Sequence, residues 1–145
     1  MLRIPFLKTD YIGLLVDKKQ STFAPFLDVR VRQALSVSID RIGISRNLRR
    51  NSVLPSDKFV PPSLPGANKY SQPIYDLELA RQLLDEAGYP KGYGFPEFEL
   101  STTSDYVDLC AAIQHGWQQL GLDVQIDVSP PSVHRENVAT SKSIA

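Results

Sequence analysis

The sequence contains a single cysteine, Cys110, so it cannot form an intrachain disulfide. It also lacks an uninterrupted run of about 18 apolar residues, which excludes a membrane-spanning helix. Neither sign of charge is in excess, because 16 basic residues balance 16 acidic ones. A protein that binds nucleic acid needs a basic surface to neutralise phosphates. We therefore expect no nucleic-acid partner.

The motifs of common enzyme and metal sites are also missing. The phosphate-binding pattern GxxxxGK[ST] does not occur. The two histidines, His115 and His134, are far apart in the sequence and predict no metal site. Cys110 and His115 are separated by about 140° around a predicted helix, which argues against a thiol catalyst. We therefore expect a protein that is not an enzyme and that holds no cofactor or metal.

The hydrophobic pattern predicts an α/β fold in a chain long enough for one domain. The short apolar run 11–16 is typical of a buried strand. Asp28, Asp40 and Asp76 each stand where an aspartate caps the start of a helix. An ion pair between Asp40 and Arg41 is expected at the second of these junctions. The predicted helices cover 28–40, 41–50, 76–88, 104–121 and a last stretch from 130 onward.

Residues 97–128 are predicted to form a βαβ unit, with strands at 97–102 and 122–128. Such a unit places its two strands parallel. Ligands of parallel sheets bind beyond the carboxyl ends of the strands, which here lie at 101–106. The helix N-terminus in this stretch favours anions and hydrogen-bond acceptors. The candidate ligand-binding residues are Thr102, Thr103, Ser104 and Tyr106.

Several other residues have a structural and a functional interpretation. Trp117 lies on an apolar helical stripe, so a place in the core is favoured over stacking on a ligand. Tyr106 begins the same helix beside the expected cleft, and both roles remain open for it. His134 is expected to be a surface histidine. The proline-rich loop covers 51–75, and its part 51–65 is either a lid over the cleft or a brace between two lobes.

Four blocks of the sequence carry a resemblance to a known family. They are DVRVRQALSVSIDR, VPPSLPG, YDLELARQLLDEAGYPKGY and LGLDVQIDV, in that order. Together they resemble the family 5 extracellular solute-binding proteins, the peptide- and nickel-binding components of ABC importers. The resemblance covers about residues 11–140. It implies a periplasmic-binding-protein-like (type II) lobe fragment with a mixed sheet, a βαβ unit and flanking helices.

The resemblance further implies that residues 1–145 are a single domain within the C-terminal lobe of a larger two-lobed protein. An N-terminal lobe and an export signal would precede residue 1, and the location would be periplasmic or extracellular, with the parent protein associated with the membrane. The implied partners are an oligopeptide or another small solute and an ABC permease. The alternative is the ligand-sensing domain of a transcription regulator with the same lobe fold.

One family feature is missing from the predicted site. In the family's peptide binders, the loop after the first strand of the βαβ unit can supply a cation to the peptide carboxylate. The matching positions 102–106 contain no arginine or lysine. The resemblance therefore does not extend to a carboxylate clamp within this loop.

Overall fold

A computed structural model describes residues 8–16, 23–61, 64–65 and 74–140. Within them the helices are α1 Val29–Val37, α2 Arg41–Asn47, α3 Leu77–Glu86, α4 Val107–Gln118 and α5 Pro131–Ala139. The strands are β1 Phe98–Thr102 and β2 Val124–Val128, and short 3-10 turns lie at Ala24–Leu27, Pro90–Gly92 and Ser104–Tyr106. Parts of the proline-rich loop, 62–63 and 66–73, lie outside the described residues.

The predicted βαβ unit is present. Strands β1 and β2 pair in parallel, with Phe98 opposite Val124 and Thr102 opposite Val128. Helix α4 connects them, and each strand begins one or two residues later than the sequence pattern predicts. Phe98 and Leu100 are both buried on the same face of β1, as the alternation of residues along a strand requires.

Aspartate caps begin three helices, as the sequence predicts. The carboxylates of Asp28, Asp40 and Asp76 each accept a hydrogen bond from a backbone N–H two or three residues further along, at 2.8–2.9 Å. Each bond satisfies a donor that has no partner within the helix, and such caps stabilise a protein by about 1 kcal/mol. Helix α3 is followed by the predicted Gly88, whose φ of 93° ends the helical path.

Trp117 lies in the core, as predicted. Its side chain is 1% exposed, and its ring centre is 5.6 Å from that of Phe98. The indole Nε1–H donates to the backbone oxygen of Leu35 at 3.0 Å, so the buried donor is satisfied. Trp117 therefore joins α4 to both α1 and β1.

Two glycines bring distant backbone segments into close contact. Gly92 lies before β1 and Gly121 follows α4, with φ values of 76° and 82°. A Cβ atom on Gly121 would lie 2.1 Å from the backbone oxygen of Lys91, and one on Gly92 would lie 2.3 Å from the oxygen of Gly121. Only glycine combines this conformation with this approach. The contact holds the turn that precedes β1 against the turn that follows α4.

The prediction of a buried strand at 11–16 was wrong. These residues have no regular secondary structure, and neither β1 nor β2 pairs with them. Ile12 and Leu14 pack against the core, whereas Tyr11 is 69% exposed. The apolar pattern of this segment therefore serves to pack Ile12 and Leu14 on the core and not to form a strand paired with β1 or β2.

The second helix also departs from its prediction. Helix α2 ends at Asn47, and Leu48 is 43% exposed. Arg50 and Asn51 then adopt φ values of 49° and 56°, which are incompatible with a continuing helix. The expected ion pair between Asp40 and Arg41 is absent, because the Arg41 guanidinium instead donates to the backbone oxygen of Ser36 at 2.7 Å.

The Asp28 cap should make stability depend on pH. Its carboxylate accepts hydrogen bonds from the Arg30 guanidinium, the nearest at 2.7 Å, which hold the pKa of Asp28 below its ordinary value of 3.8. The resulting stabilisation is complete above that ordinary value and is lost as the pH falls through the lower pKa of the folded state. We expect Asp28→Asn, which retains a capping oxygen, to lower the free energy of unfolding at neutral pH and to have a diminishing effect as the pH falls below the ordinary pKa of 3.8.

Urea unfolding at a series of pH values measures this difference. Asp76→Asn is the matched control, since Asp76 caps α3 and its carboxylate forms no ion pair within the described residues. If Asp28→Asn lowered the free energy of unfolding equally at every pH, the lowered pKa of Asp28 in the folded state would be contradicted.

A candidate ligand-binding site at the carboxyl ends of the strands

The carboxyl ends of β1 and β2 lie side by side. Thr102 is opposite Val128, and the backbone N–H of Ser129 donates to the oxygen of Thr102 at 2.9 Å. After β1 the chain passes through the 3-10 turn Ser104–Tyr106 directly into α4. The four predicted site residues therefore occupy one continuous stretch at this edge of the sheet.

These four residues differ in their access to solvent. Ser104 is exposed, and Thr103 and Tyr106 are partly exposed, so their hydroxyl groups can reach a ligand. Thr102 is only 5% exposed, and its hydroxyl donates to the oxygen of Thr103 at 3.4 Å. Thr102 thus lies behind the accessible residues.

Cys110 is buried directly behind this edge. Its thiol is hydrogen-bonded with the Thr102 side chain, and burial raises the pKa of the Cys110 thiol. His115 is exposed on the same helix. The two side chains therefore lie in different environments, and the prediction that Cys110 is a buried thiol is confirmed.

The structure brings a cation to the site that the sequence pattern did not reveal. The Lys8 ammonium lies 4.8 Å from the centre of the Tyr106 ring, contacts the Tyr106 hydroxyl, and forms an ion pair with Asp10 at 3.0 Å. The Tyr106 hydroxyl in turn donates to Asp10 Oδ1 at 3.3 Å. Hydrogen bonding with Tyr106 and Asp10 raises the pKa of Lys8, so its side chain is positively charged at neutral pH.

The proline-rich loop borders this cluster. The Thr9 hydroxyl donates to the backbone oxygen of Phe59 at 3.0 Å, and the rings of Tyr11 and Phe59 meet edge to face at 5.1 Å. A groove of about 320 Å³ lies there, lined by Lys8, Thr9, Phe59, Val60, Pro61 and Leu64. Part of the loop is therefore next to the candidate site.

A second polar cluster lies on the other face of β1. Ser101 Oγ and His134 Nδ1 are 3.2 Å apart, so α5 contacts the sheet through His134. Asp127 is opposite Ser101 in the sheet and accepts a hydrogen bond from the Ser129 hydroxyl at 3.1 Å. His134 is therefore partly buried and bonded, which its weak helical pattern did not predict.

Other features of the described residues offer no competing site. A larger groove, of about 660 Å³, follows the solvent side of α3 and is lined mainly by charged side chains: Asp76, Glu78, Leu79, Arg81, Gln82, Asp85, Glu86 and Lys91. In the described ranges, no group of three or more His, Cys, Asp or Glu side chains is arranged to hold a metal ion. None of the helices among these residues has the length and apolar character to cross a bilayer.

Superposition on solved structures shows that the βαβ unit and its flanking helices have the fold of a lobe fragment of the type II periplasmic binding proteins. A solved oligopeptide-binding protein from Borrelia burgdorferi superimposes with a TM-score of 0.79 at 26% identity, over 85% of this chain and 25% of that one. A peptide-bound DppA from Helicobacter pylori has the same fold, with a TM-score of 0.76 at 24% identity, over 87% of this chain and 24% of that one. The predicted fold class is confirmed.

Residues 5–143 match the model of the bacterial extracellular solute-binding proteins, family 5 Middle, and the chain belongs to this family. It is 28% identical to the dipeptide-binding protein of Escherichia coli K12, over 87% of this chain and 24% of that protein. It is 29% identical to the oligopeptide-binding protein OppA of Bacillus subtilis, over 76% of this chain and 22% of that protein. The chain therefore spans less than a quarter of either relative.

Proposed function

We propose that this chain is part of the C-terminal lobe of a solute-binding protein that delivers peptides to an ABC permease. The observation that carries the proposal is membership of the family together with accessible hydroxyl groups at the carboxyl ends of parallel strands. The protein acts by binding and not by catalysis, in the periplasm or outside the cell. The names of the two curated relatives, dipeptide- and oligopeptide-binding proteins, support peptides as the solute class.

The proposed site uses Thr103, Ser104 and Tyr106 as contacts and Thr102 as their buried support. A peptide backbone presents both N–H donors and carbonyl acceptors, and hydroxyl groups can serve either. The start of α4 adds backbone N–H groups for an acceptor. A peptide that also contacts the N-terminal lobe stabilises the closed arrangement of the two lobes, which the permease then recognises. No observation above favours the sensing domain of a transcription regulator.

Native mass spectrometry of the complete gene product containing this chain tests the proposal. We expect a retained peptide that is lost on unfolding, and a smaller radius of gyration by X-ray scattering when a pool of di- to pentapeptides is added. No retained solute, together with no change in scattering or in melting temperature with the pool, would overturn the proposal.

The contribution of Tyr106 is tested by substitution. We expect Tyr106→Ala to weaken peptide binding about tenfold, which corresponds to about 1.4 kcal/mol, because a partly buried ring leaves the site. Tyr93→Ala is the matched control, since Tyr93 is 85% exposed beside the turn Pro90–Gly92. Calorimetric titration of both variants measures the effect, and equal affinities would remove Tyr106 from the site.

A further inference from the structure

A basic patch lies at the end of helix α2, in a part of the chain that the proposed ligand site does not use. We give this name to Arg46, Arg49 and Arg50. Residues 41–56 contain these three arginines and Arg41 but no aspartate or glutamate, whereas basic and acidic residues are equal in number over the whole chain. The segment is therefore a local excess of positive charge in a chain without net charge.

The three arginines carry charges that no described carboxylate neutralises. Arg46 and Arg50 are exposed, and Arg49 is partly exposed. None of the three forms an ion pair with a described residue, and the next acidic residue along the chain, Asp57, is paired with Lys58 at 3.4 Å. One cation near the C-terminus of a helix is favourable, but like charges this close in the chain repel each other. An anionic partner would remove this repulsion.

Hydrogen bonds hold the turn that presents the patch. Arg50 and Asn51 have φ values of 49° and 56°, which L-residues seldom adopt. The Asn51 N–H donates to the backbone oxygen of Ser45 at 2.9 Å. Ser45 is only 4% exposed, and its hydroxyl donates to the backbone oxygen of Val53 at 2.7 Å. The turn that contains Arg49 and Arg50 is therefore anchored to α2.

Exposed aliphatic side chains accompany the arginines. Leu48, Val53 and Leu54 are 43%, 44% and 58% exposed, and none of residues 41–56 is aromatic. Basic and aliphatic residues together are typical of surfaces that enter the headgroup region of a membrane with anionic lipids. Interfaces with proteins instead depend on tryptophan and tyrosine besides arginine, and leucine and valine seldom dominate their binding energy. The composition therefore favours a lipid surface over an acidic protein.

We propose that the basic patch and the aliphatic side chains beside it bind the surface of a membrane that contains anionic lipids. The guanidinium groups donate hydrogen bonds to lipid phosphates, and Leu48, Val53 and Leu54 enter the headgroup region. This contact holds the lobe against the membrane in which an ABC permease would lie. The inference goes beyond the proposed function, since it requires no peptide.

Cosedimentation with lipid vesicles tests the proposal on the complete gene product. We expect more binding to vesicles of equimolar phosphatidylglycerol and phosphatidylcholine than to vesicles of phosphatidylcholine alone. The excess should disappear at high salt, because ions screen the charges. Any lipid anchor elsewhere in the gene product would bind both kinds of vesicle equally, so the difference isolates the contribution of charge. Equal binding of the wild-type protein to the two kinds of vesicle would overturn the proposal.

Replacing all three arginines of the basic patch with glutamine locates this contribution. We expect binding to the anionic vesicles to weaken about 100-fold, since each basic residue near such a surface contributes about fivefold. The matched control is the triple variant Lys58→Gln, Arg81→Gln and Arg135→Gln, which removes the same charge from three separated and at least partly exposed positions. The control should lose far less, and equal losses would show that only net charge matters and would overturn the assignment to the patch.

Leu54→Ser distinguishes a membrane from an acidic macromolecule. We expect about fivefold weaker binding to the anionic vesicles, because a leucine side chain no longer enters the lipid, and unchanged binding to immobilised heparin. Val138→Ser is the matched control, since Val138 is also 58% exposed. Vesicle binding that Leu54→Ser leaves unchanged would assign the patch to a polyanion and overturn the lipid proposal. Failure of the wild-type gene product to bind peptides would exclude the proposed function and leave these vesicle measurements unaffected.

Discussion

Replacing Trp117 with alanine is expected to lower the free energy of unfolding by about 4 kcal/mol, the usual cost of removing a large buried ring. The substitution removes the contact with Phe98 and the hydrogen bond to Leu35, and it leaves a cavity among α1, α4 and β1. Urea unfolding followed by circular dichroism measures this loss. Fluorescence is unsuitable, because Trp117 is the protein's single tryptophan.

Trp117→Phe separates packing from hydrogen bonding. It keeps an aromatic ring and removes the indole donor, and the oxygen of Leu35 still accepts a hydrogen bond from the Ser38 hydroxyl at 3.0 Å. We therefore expect a smaller loss, of about 1–2 kcal/mol. An alanine variant that is no less stable than the phenylalanine variant would show that the ring does not support the core.

Gly121→Ala is expected to lower the free energy of unfolding by about 3 kcal/mol. Part of this cost is the unfavourable positive φ of an L-residue, about 1 kcal/mol, and the rest is steric overlap in a closely packed region. The added Cβ would lie 2.1 Å from the backbone oxygen of Lys91, so the turn Pro90–Gly92 has to move away from the end of α4.

Gly94 provides the matched control. Its φ is 77°, close to that of Gly121, but no atom lies within 4 Å of the position where a Cβ would be placed. Gly94→Ala should therefore lose only about 1 kcal/mol, from conformation alone. Denaturant unfolding of the two variants isolates the steric part, and equal losses would show that the close approach of the two turns has no energetic consequence.

The sequence predicts those parts of the fold that depend on neighbouring residues. The caps at Asp28, Asp40 and Asp76 are local, because each aspartate bonds to the helix that it begins. The βαβ unit can also be predicted from the sequence, because strands and helices have different hydrophobic periods. A helix that connects two neighbouring strands makes them parallel. The candidate residues Thr102, Thr103, Ser104 and Tyr106 are predicted by the rule that locates ligands at the carboxyl ends of the strands, and ligand binding by them stays a prediction.

The features that the sequence did not predict depend on distant contacts or on backbone conformations that residue identity does not specify. The apolar run 11–16 resembles a strand, but strand formation requires a partner that its own residues do not specify. Helix α2 ends at Asn47, and the positive φ values of Arg50 and Asn51 that follow are not revealed by the identities of these residues. The contact between Lys8 and Tyr106 spans 98 positions, and no periodic pattern relates residues at that distance.

Because of the contact between Gly92 and Gly121, the two ends of the βαβ unit should differ in how many substitutions they tolerate. At the amino end of β1, Gly92 and Gly121 leave no space for a side chain, so almost any replacement there opposes folding. At the carboxyl end, Ser104 and Asp105 are exposed and fill no gap in the core. If ligands bind at the carboxyl end as proposed, mutations there can change the ligand preference, whereas the amino end has to keep its two glycines for the fold to form. Divergence among relatives of this chain should accordingly accumulate at the carboxyl end and spare the two glycines.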